Sequence, residues 1–235
     1  MTDIHCHLLY GVDDGPDSLK ESCRMLHKAA GQGIDKIILT PHYRHGMFSF
    51  PAKEIAEHFK KLRPYAAREG VDIFLGCEYH MDSMCIENMR RRRTLTLAGS
   101  SYILTEYSYV SEYSFIIRMT EEVLQNGYRP VIAHAERYPA IMCDLGRVSE
   151  LRRMGAMIQV NADSVLGYEG KNQKAFCKKM LRKDLVDIVA SDAHGIKYRK
   201  CNLDECYDYI MKKYGGDTAI RLTSLNPDRI LTDIL

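Results

Sequence analysis

Apolar and polar residues alternate at the start of the chain. In Asp3-Ile4-His5-Cys6-His7 the apolar Ile4 and Cys6 take one face and Asp3, His5 and His7 the other, the period of a short strand. On such a strand His5 and His7 project together, about 7 Å apart. The period then changes repeatedly. Pro16-Asp17-Ser18 opens a helical repeat carried by Leu19, Cys23, Leu26 and Ala30, and Gly31-Gln32-Gly33 closes it. An apolar run at 34–40 predicts a second strand, stopping at Pro41-His42, and 71–77 a third, stopping at Glu78. Runs at 101–105, 129–133, 156–160 and 187–190 predict four more, ending at Glu106, His134, Asn161 and Ser191-Asp192-Ala193-His194. Helical patterns at 51–68, 112–126, 144–154 and 169–182 separate them, and 203–214 with the tail to 235 predicts closing helices.

Seven strands alternating with helices imply a parallel sheet, because parallel neighbours need crossover connections. The expected fold is α/β: a seven-stranded, TIM-like (β/α) barrel, somewhat smaller than the usual eight-stranded one. It would form a single domain over 1–235. An open doubly wound sheet is the alternative, but the Gly-rich turn after a first strand is missing. In both folds the site forms at the carboxyl ends of the strands. Those ends carry His5 and His7 with Asp14 behind them, then His42, Glu78, Glu106, His134, Asp192 and His194. Taken singly, His42 reads as a turn residue, Glu106 as a solvated carboxylate and Asp192 as an N-cap. Their shared position at strand ends is what turns nine ordinary residues into a candidate ligand set. His27 and His58 fall within helices, and His45 and His80 lie just past strand ends, where at most they line the pocket.

A set without thiolate is not a structural cysteine-zinc site. Mixed imidazole and carboxylate suits manganese, iron or zinc, and nine ligands suffice for two or three divalent ions, with Glu78 the natural bridge. Such a cluster acidifies a bound water and clamps both oxygens of an in-line displacement at phosphorus. Metal-assisted hydrolysis of a phosphate ester is the reaction class implied.

Composition narrows the setting. A net charge of +2 exerts no global pull toward nucleic acid or membrane. No apolar run approaches the ~20 residues of a membrane span, and the first residues lack a secretory pattern. The eight cysteines include no Cys-x-x-Cys pair, which favours a reducing, cytoplasmic location. Arg90-Arg91-Arg92-Arg93 reads as a solvated helix end or a docking patch for an anionic partner. Cys85 and Arg91 have the Cys-x5-Arg spacing of covalent tyrosine phosphatases, but the intervening residues lack glycine and read as helix.

Asp3-Ile4-His5-Cys6-His7, Thr40-Pro41-His42, His134-Ala135-Glu136-Arg137-Tyr138 and Ser191-Asp192-Ala193-His194 together resemble the polymerase-and-histidinol-phosphatase (PHP) superfamily of trinuclear hydrolases on a distorted seven-stranded barrel. His5-Cys6-His7-Leu8-Leu9, Gly11-Val12-Asp13-Asp14-Gly15 and the His-Ala-Glu-Arg-Tyr run resemble one branch within it. That branch is the bacterial manganese-dependent protein tyrosine phosphatases encoded with capsule and exopolysaccharide genes. The resemblance implies one ion on His5, His7, Glu78 and Asp192, a second on Glu78, Glu106 and His134, and a third on Asp14, His42 and His194. It implies phosphate contacts from Arg137 and Arg199, a metal-held hydroxide as nucleophile, and His194 or a bound water as proton donor. The implied substrate is a phosphotyrosine protein, a tyrosine autokinase of polysaccharide assembly. Two departures stand out: Lys200-Cys201 follows Arg199 where prolines are usual, and Tyr10 replaces a common proline. A small-molecule phosphatase of the histidinol-phosphate type, and a non-catalytic metal- or kinase-binding protein, are the competing functions.

Overall fold

The structure, a computed structural model, describes residues 1–48 and 51–233; the last two residues of the expected closing tail lie outside it. In chain order the elements are β1 (Thr2–Cys6), α1 (Leu19–Gly31), β2 (Lys36–Leu39), β3 (His42–Tyr43), α2 (Ala52–Arg68), β4 (Asp72–Leu75), β5 (Glu78–His80) and α3 (Ser83–Arg90). There follow β6 (Tyr102–Glu106), α4 (Tyr113–Gln125), β7 (Arg129–Ile132), α5 (Pro139–Met142), α6 (Leu145–Met154), β8 (Met157–Asn161), α7 (Ala162–Leu166) and α8 (Lys171–Arg182). The last are β9 (Ile188–Ala190), α9 (Leu203–Tyr214), α10 (Gly216–Ile220) and α11 (Asn226–Thr232). All strand pairings are parallel, in the orders β1-β2-β4 and β3-β5-β6-β7-β8-β9.

Two of the seven expected strands are each broken in two. The second runs through β2 and resumes after Pro41 as β3; the third runs through β4 and resumes after Gly76-Cys77 as β5. Proline brings no N–H to the ladder, so the pairing must skip there. Thr40 N–H donates to Cys6 O (3.0 Å), Gly76 N–H to Leu39 O (2.8 Å) and Glu78 N–H to Pro41 O (3.2 Å), which carries both paths across the break. A Cβ on Gly76 would meet Leu97 Cδ2 at 2.8 Å and Ile38 Cγ2 at 3.0 Å, so a side chain there would have to push these neighbours aside. Between β1 and β9, Asp192 N–H donates to His5 O (2.8 Å) and His7 N–H to Ala193 O (2.9 Å). The seven paths therefore close into a distorted barrel.

Ile4, Ile38, Leu104, Val131 and Ile188 form one buried cluster, joined by Ile230 of α11. Neighbours such as Ile37, Leu39, Ile103 and Val189 pack instead with the helices. This is period two on a sheet with one face toward the barrel axis and one toward the helical shell. The first strand departs from simple alternation. Its register against β2 slips between Asp3 and Cys6, and Ile4 packs in the inner cluster while Cys6 packs in the outer one. The bulge re-aims the strand's end, and both histidines beside Cys6 reach the rim.

The four arginines are exposed at and just past the end of α3. Arg90 pairs with Glu122 on α4 (3.0 Å), Arg91 with Glu87 (2.6 Å), and Arg92 lies over Tyr128 (5.4 Å) while donating to Asn126 O (3.2 Å). No helix among the described residues is long and apolar enough to cross a membrane.

Candidate metal centre

The rim gathers all nine candidate ligands around Glu78. Its Oε2 lies 3.2 Å from His5 Nε2, 3.2 Å from His7 Nε2 and 3.0 Å from His42 Nδ1, and its Oε1 lies 3.0 Å from His134 Nε2. Asp192 Oδ1 is 3.4 Å from His5 Nε2, and Glu106 Oε1 is 3.8 Å from His134 Nε2. Across the rim, Asp14 Oδ1 is 3.2 Å from His194 Nε2 and 3.4 Å from His42 Nε2. Ligand atoms of His7, Asp14, His42 and His194 all fall within 4.8 Å of one another, as do those of His5, His134 and Asp192, of His5, His7 and Glu78, and of His42, Glu78 and Glu106.

Hydrogen bonds around the set decide which imidazole nitrogens carry protons. His134 N–H donates to Gln159 Oε1 (2.9 Å), which fixes that oxygen as an acceptor. His5 Nδ1, 3.1 Å from the same oxygen, must then carry a proton, so Nε2 is the nitrogen that can take an ion. His194 Nδ1 lies 2.9 Å from the carbonyl of Asp192, so it also carries the proton and its Nε2 faces Asp14 as an acceptor. Burial, with the neighbouring His7, pushes His194 down to about 4, so this imidazole is neutral. His42 Nδ1, Glu78 Oε2 and His194 Nε2 are buried without a hydrogen-bond partner. The His194 lone pair and the Asp14 carboxylate, acceptor facing acceptor at 3.2 Å, repel unless they share a cation. Burial opposes charge on His7, yet Asp13 and Glu78 outweigh it and hold the ring up to about 10, a proton standing where a metal ion fits better. Burial alone would raise Glu78, but His5, His42 and His134 hold it well below the carboxylate range. The donor set thus fits divalent cations bound by imidazole and carboxylate.

Sequence reasoning missed the residues that orient these ligands. Asp13 Oδ2 lies 2.8 Å from His7 Nδ1 and accepts from His42 N–H (3.1 Å). Tyr138 Oη lies 3.1 Å from His134 Nδ1, and His80 Nδ1 lies 3.0 Å from Glu106 Oε2, so His80 does more than line the pocket. On β8, which ends in no ligand, Gln159 Nε2 donates to Asn161 Oδ1 (2.9 Å) and Asn161 Nδ2 to Asp192 Oδ2 (2.8 Å). Their signal was two polar residues at i and i+2 inside an apolar run. Tyr10 stacks on His58 with centroids 4.0 Å apart, a local role for the residue replacing proline. His134 (φ 33°), Asp192 (φ 52°) and Arg199 (φ 45°) all adopt left-handed backbone, a cost that clusters at functional sites.

Above the ligands opens a cavity of about 560 Å³, lined by Asp14, His42, Glu106 and His134 at its base and by Arg44, Arg137 and Arg199. Met47, Phe48 and Tyr109 line it as well. Arg137 pairs not with Glu136 but with Glu169, and its Nη1 donates to Asp192 Oδ2 (2.9 Å). Arg199 Nη2 donates to both Asp192 oxygens (3.1 Å each) and Nη1 to Asp14 Oδ2 (3.3 Å). Cys85 stands apart: it is fully buried in α3, burial pushes its thiol up to about 12, and Arg91 is turned to Glu87. Nothing there can wrap a phosphate.

The chain is similar along its whole length to known proteins. It is 37% identical to the tyrosine-protein phosphatase CpsB of Streptococcus pneumoniae over 242 aligned residues, covering 100% of both chains. One of the solved structures of the metal-dependent tyrosine phosphatases YwqE from Bacillus subtilis and CpsB from Streptococcus pneumoniae superposes with a TM-score of 0.90 at 30% identity, covering 100% of this chain and 96% of that one. A dihydropyrimidinase from Brevibacillus agri, at 11% identity and a TM-score of 0.66 over 98% of this chain and 70% of that one, shares the fold alone. A family model for capsular polysaccharide synthesis proteins matches residues 1–232, and the chain belongs to that family, CpsB/CapC.

Proposed function

We propose that this chain, a single catalytic domain over 1–235, is a protein tyrosine phosphatase working with two or three divalent ions, manganese foremost and iron or zinc as alternatives. What carries the reading is one observation: buried polar atoms of His42, His194 and Glu78 stand without hydrogen-bond partners beneath an arginine-lined cavity. His5, His7, Asp14, His42, Glu78, Glu106, His134, Asp192 and His194 would hold the ions. Bound there, the ions supply an acidified water and screen charge on phosphate. Arg137 and Arg199 bind and orient the non-bridging oxygens, guanidinium being suited to two-pronged contact. Phe48, Met47 and Tyr109 flank the space left for an aryl group. A phenolate, whose acid has a pKa near 10, leaves without a strong general acid. His194 is neutral, and its one proton is given to Asp192 O; a ligand role suits it better than proton donation.

The proposed phosphoprotein is a tyrosine autokinase of polysaccharide assembly, met in the cytoplasm; the family's link to capsular polysaccharide synthesis supports that setting. Turnover of a phosphotyrosine peptide and of histidinol phosphate, each with and without manganese, tests the proposal. Manganese-dependent preference for the peptide is expected. Faster turnover of histidinol phosphate would move the assignment to small molecules, and no turnover of either in metal-loaded protein would end the catalytic reading.

A further inference from the structure

The phosphate-facing arginine is itself held by a residue outside the ligand set. Glu169 lies in the turn between α7 and α8, where the sequence predicts helix from 169; the helix begins only at Lys171. Gly167 (φ 97°) and Gly170 (φ 131°) bracket the turn in backbone that other residues rarely adopt. Gly167 N–H (2.9 Å) and Tyr168 N–H (2.8 Å) both donate to Asp163 O. The turn is thus shaped to bring Glu169 back over the rim.

There Glu169 grips Arg137 with both oxygens: Nε–H donates to Oε2 (2.8 Å) and Nη2–H to Oε1. The carboxylate is anchored from behind by Ser164 Oγ (2.7 Å) and Asn161 Nδ2 (3.2 Å). With Nη1 also on Asp192, three of the five guanidinium N–H groups are engaged, leaving one each on Nη1 and Nη2. Arg137 lines the cavity, and the two remaining N–H groups are what it can offer a phosphate there.

We propose that Glu169 is a positioning residue that fixes the Arg137 guanidinium edge-on to the substrate's phosphoryl group. This rests on the proposed role of Arg137. Two effects of Glu169 compete. Its charge partly cancels that of Arg137 and so weakens attraction for an anion; its geometry holds the fork and so strengthens a directed contact. Arginine's advantage over a point charge lies in that geometry, so orientation is expected to dominate.

The test uses inorganic phosphate as a competitive inhibitor of phosphotyrosine-peptide hydrolysis by the metal-loaded protein. Glu169→Gln cannot accept both N–H groups, and should raise the inhibition constant for phosphate and lower kcat/KM by roughly 10- to 100-fold. Metal content should not change. Ser164→Ala, which removes one anchor and endangers folding less, should move the same constants in the same direction by a smaller factor. Combining Glu169→Gln with Arg137→Ala should add little to Arg137→Ala alone, because both act through one guanidinium. Tighter phosphate inhibition in Glu169→Gln would overturn the proposal in favour of charge cancellation. Unchanged inhibition with only a lower Tm would reduce Glu169 to a structural role, and multiplying losses in the double variant would deny the shared path. Wild-type inhibition in Arg137→Ala would instead sink the phosphate role of Arg137 itself.

Discussion

Replacing Gln159 with methionine keeps the length of the side chain and removes only its amide. Three hydrogen bonds go with it: those received from His134 N–H and His5 Nδ1–H, and the one given to Asn161 Oδ1. The two donors are buried, and each left unsatisfied costs about 1–3 kcal/mol. The chain should lose roughly 2–6 kcal/mol from a total of about 5–15, or roughly 5–20 °C in Tm for a protein of this size. The larger effect is on the ligand set. Without Oε1, nothing dictates which nitrogen of His5 is protonated, and the lone pair on Nε2 is no longer guaranteed to face Glu78. Losing an orienting partner typically weakens metal affinity 10- to 100-fold. Manganese titration by calorimetry should show that loss, and excess manganese should restore much of the phosphatase rate. Gln159→Glu, which keeps the acceptor, should retain more affinity than Gln159→Met. A Gln159→Met protein that binds manganese as tightly as the parent would refute the tautomer argument for His5.

Glu78→Gln removes the charge shared by four imidazoles and should lower both the rate and the number of ions per chain found by elemental analysis; two or three ions retained at full activity would contradict a bridging role. His7 must give up a proton before taking an ion, and its pKa is raised from 6.5 to about 10. Manganese affinity should therefore climb as pH rises toward about 10, with proton release measurable by calorimetry in two buffers; protonated His7 correspondingly stabilises the metal-free fold fully below 6.5, and that contribution fades as pH rises through about 10. Cys85, at about 12, should have roughly one thiolate in a thousand at pH 9, so Cys85→Ser should keep near-parental activity, and a folded but inactive Cys85→Ser protein would revive the covalent route.

The candidate ligands were legible because all but Asp14, which lies in the loop after the first strand, sit where an apolar run ends, a local event in the chain. The breaks at Pro41 and Gly76 were half visible: the sequence marked where each strand stops, not that it resumes one or two residues later. That resumption depends on partners such as Leu39 O and Pro41 O in another strand. The same holds for Ile4 and Cys6, whose alternation predicted one face and whose bulge against β2 puts them on two. Gln159, Asn161 and Glu169 escaped notice because their importance lies in what they touch 8 to 154 positions away. Arg137 lines the cavity, but the acid adjacent to it in the chain, Glu136, is not its partner. Glu136 instead turns inward to accept from Asn161 N–H (3.0 Å).

The seam between β1 and β9 governs the order in which the molecule can be made. Cys6 and Ala193 meet across 187 positions, and closing a loop of that length costs about 5 kcal/mol of chain entropy. During synthesis at about 5–20 residues per second, the first strand waits roughly 10–40 s for its partner to be polymerised. Throughout that interval His5 and His7 are on the ribosome-bound chain while Asp192 and His194 do not yet exist. The nascent protein can stack β2 to β8 and their helices, but it has no finished rim to load with metal. Its first strand remains an unpaired edge on the seam side, the stretch most open to a chaperone or to a wrong neighbour.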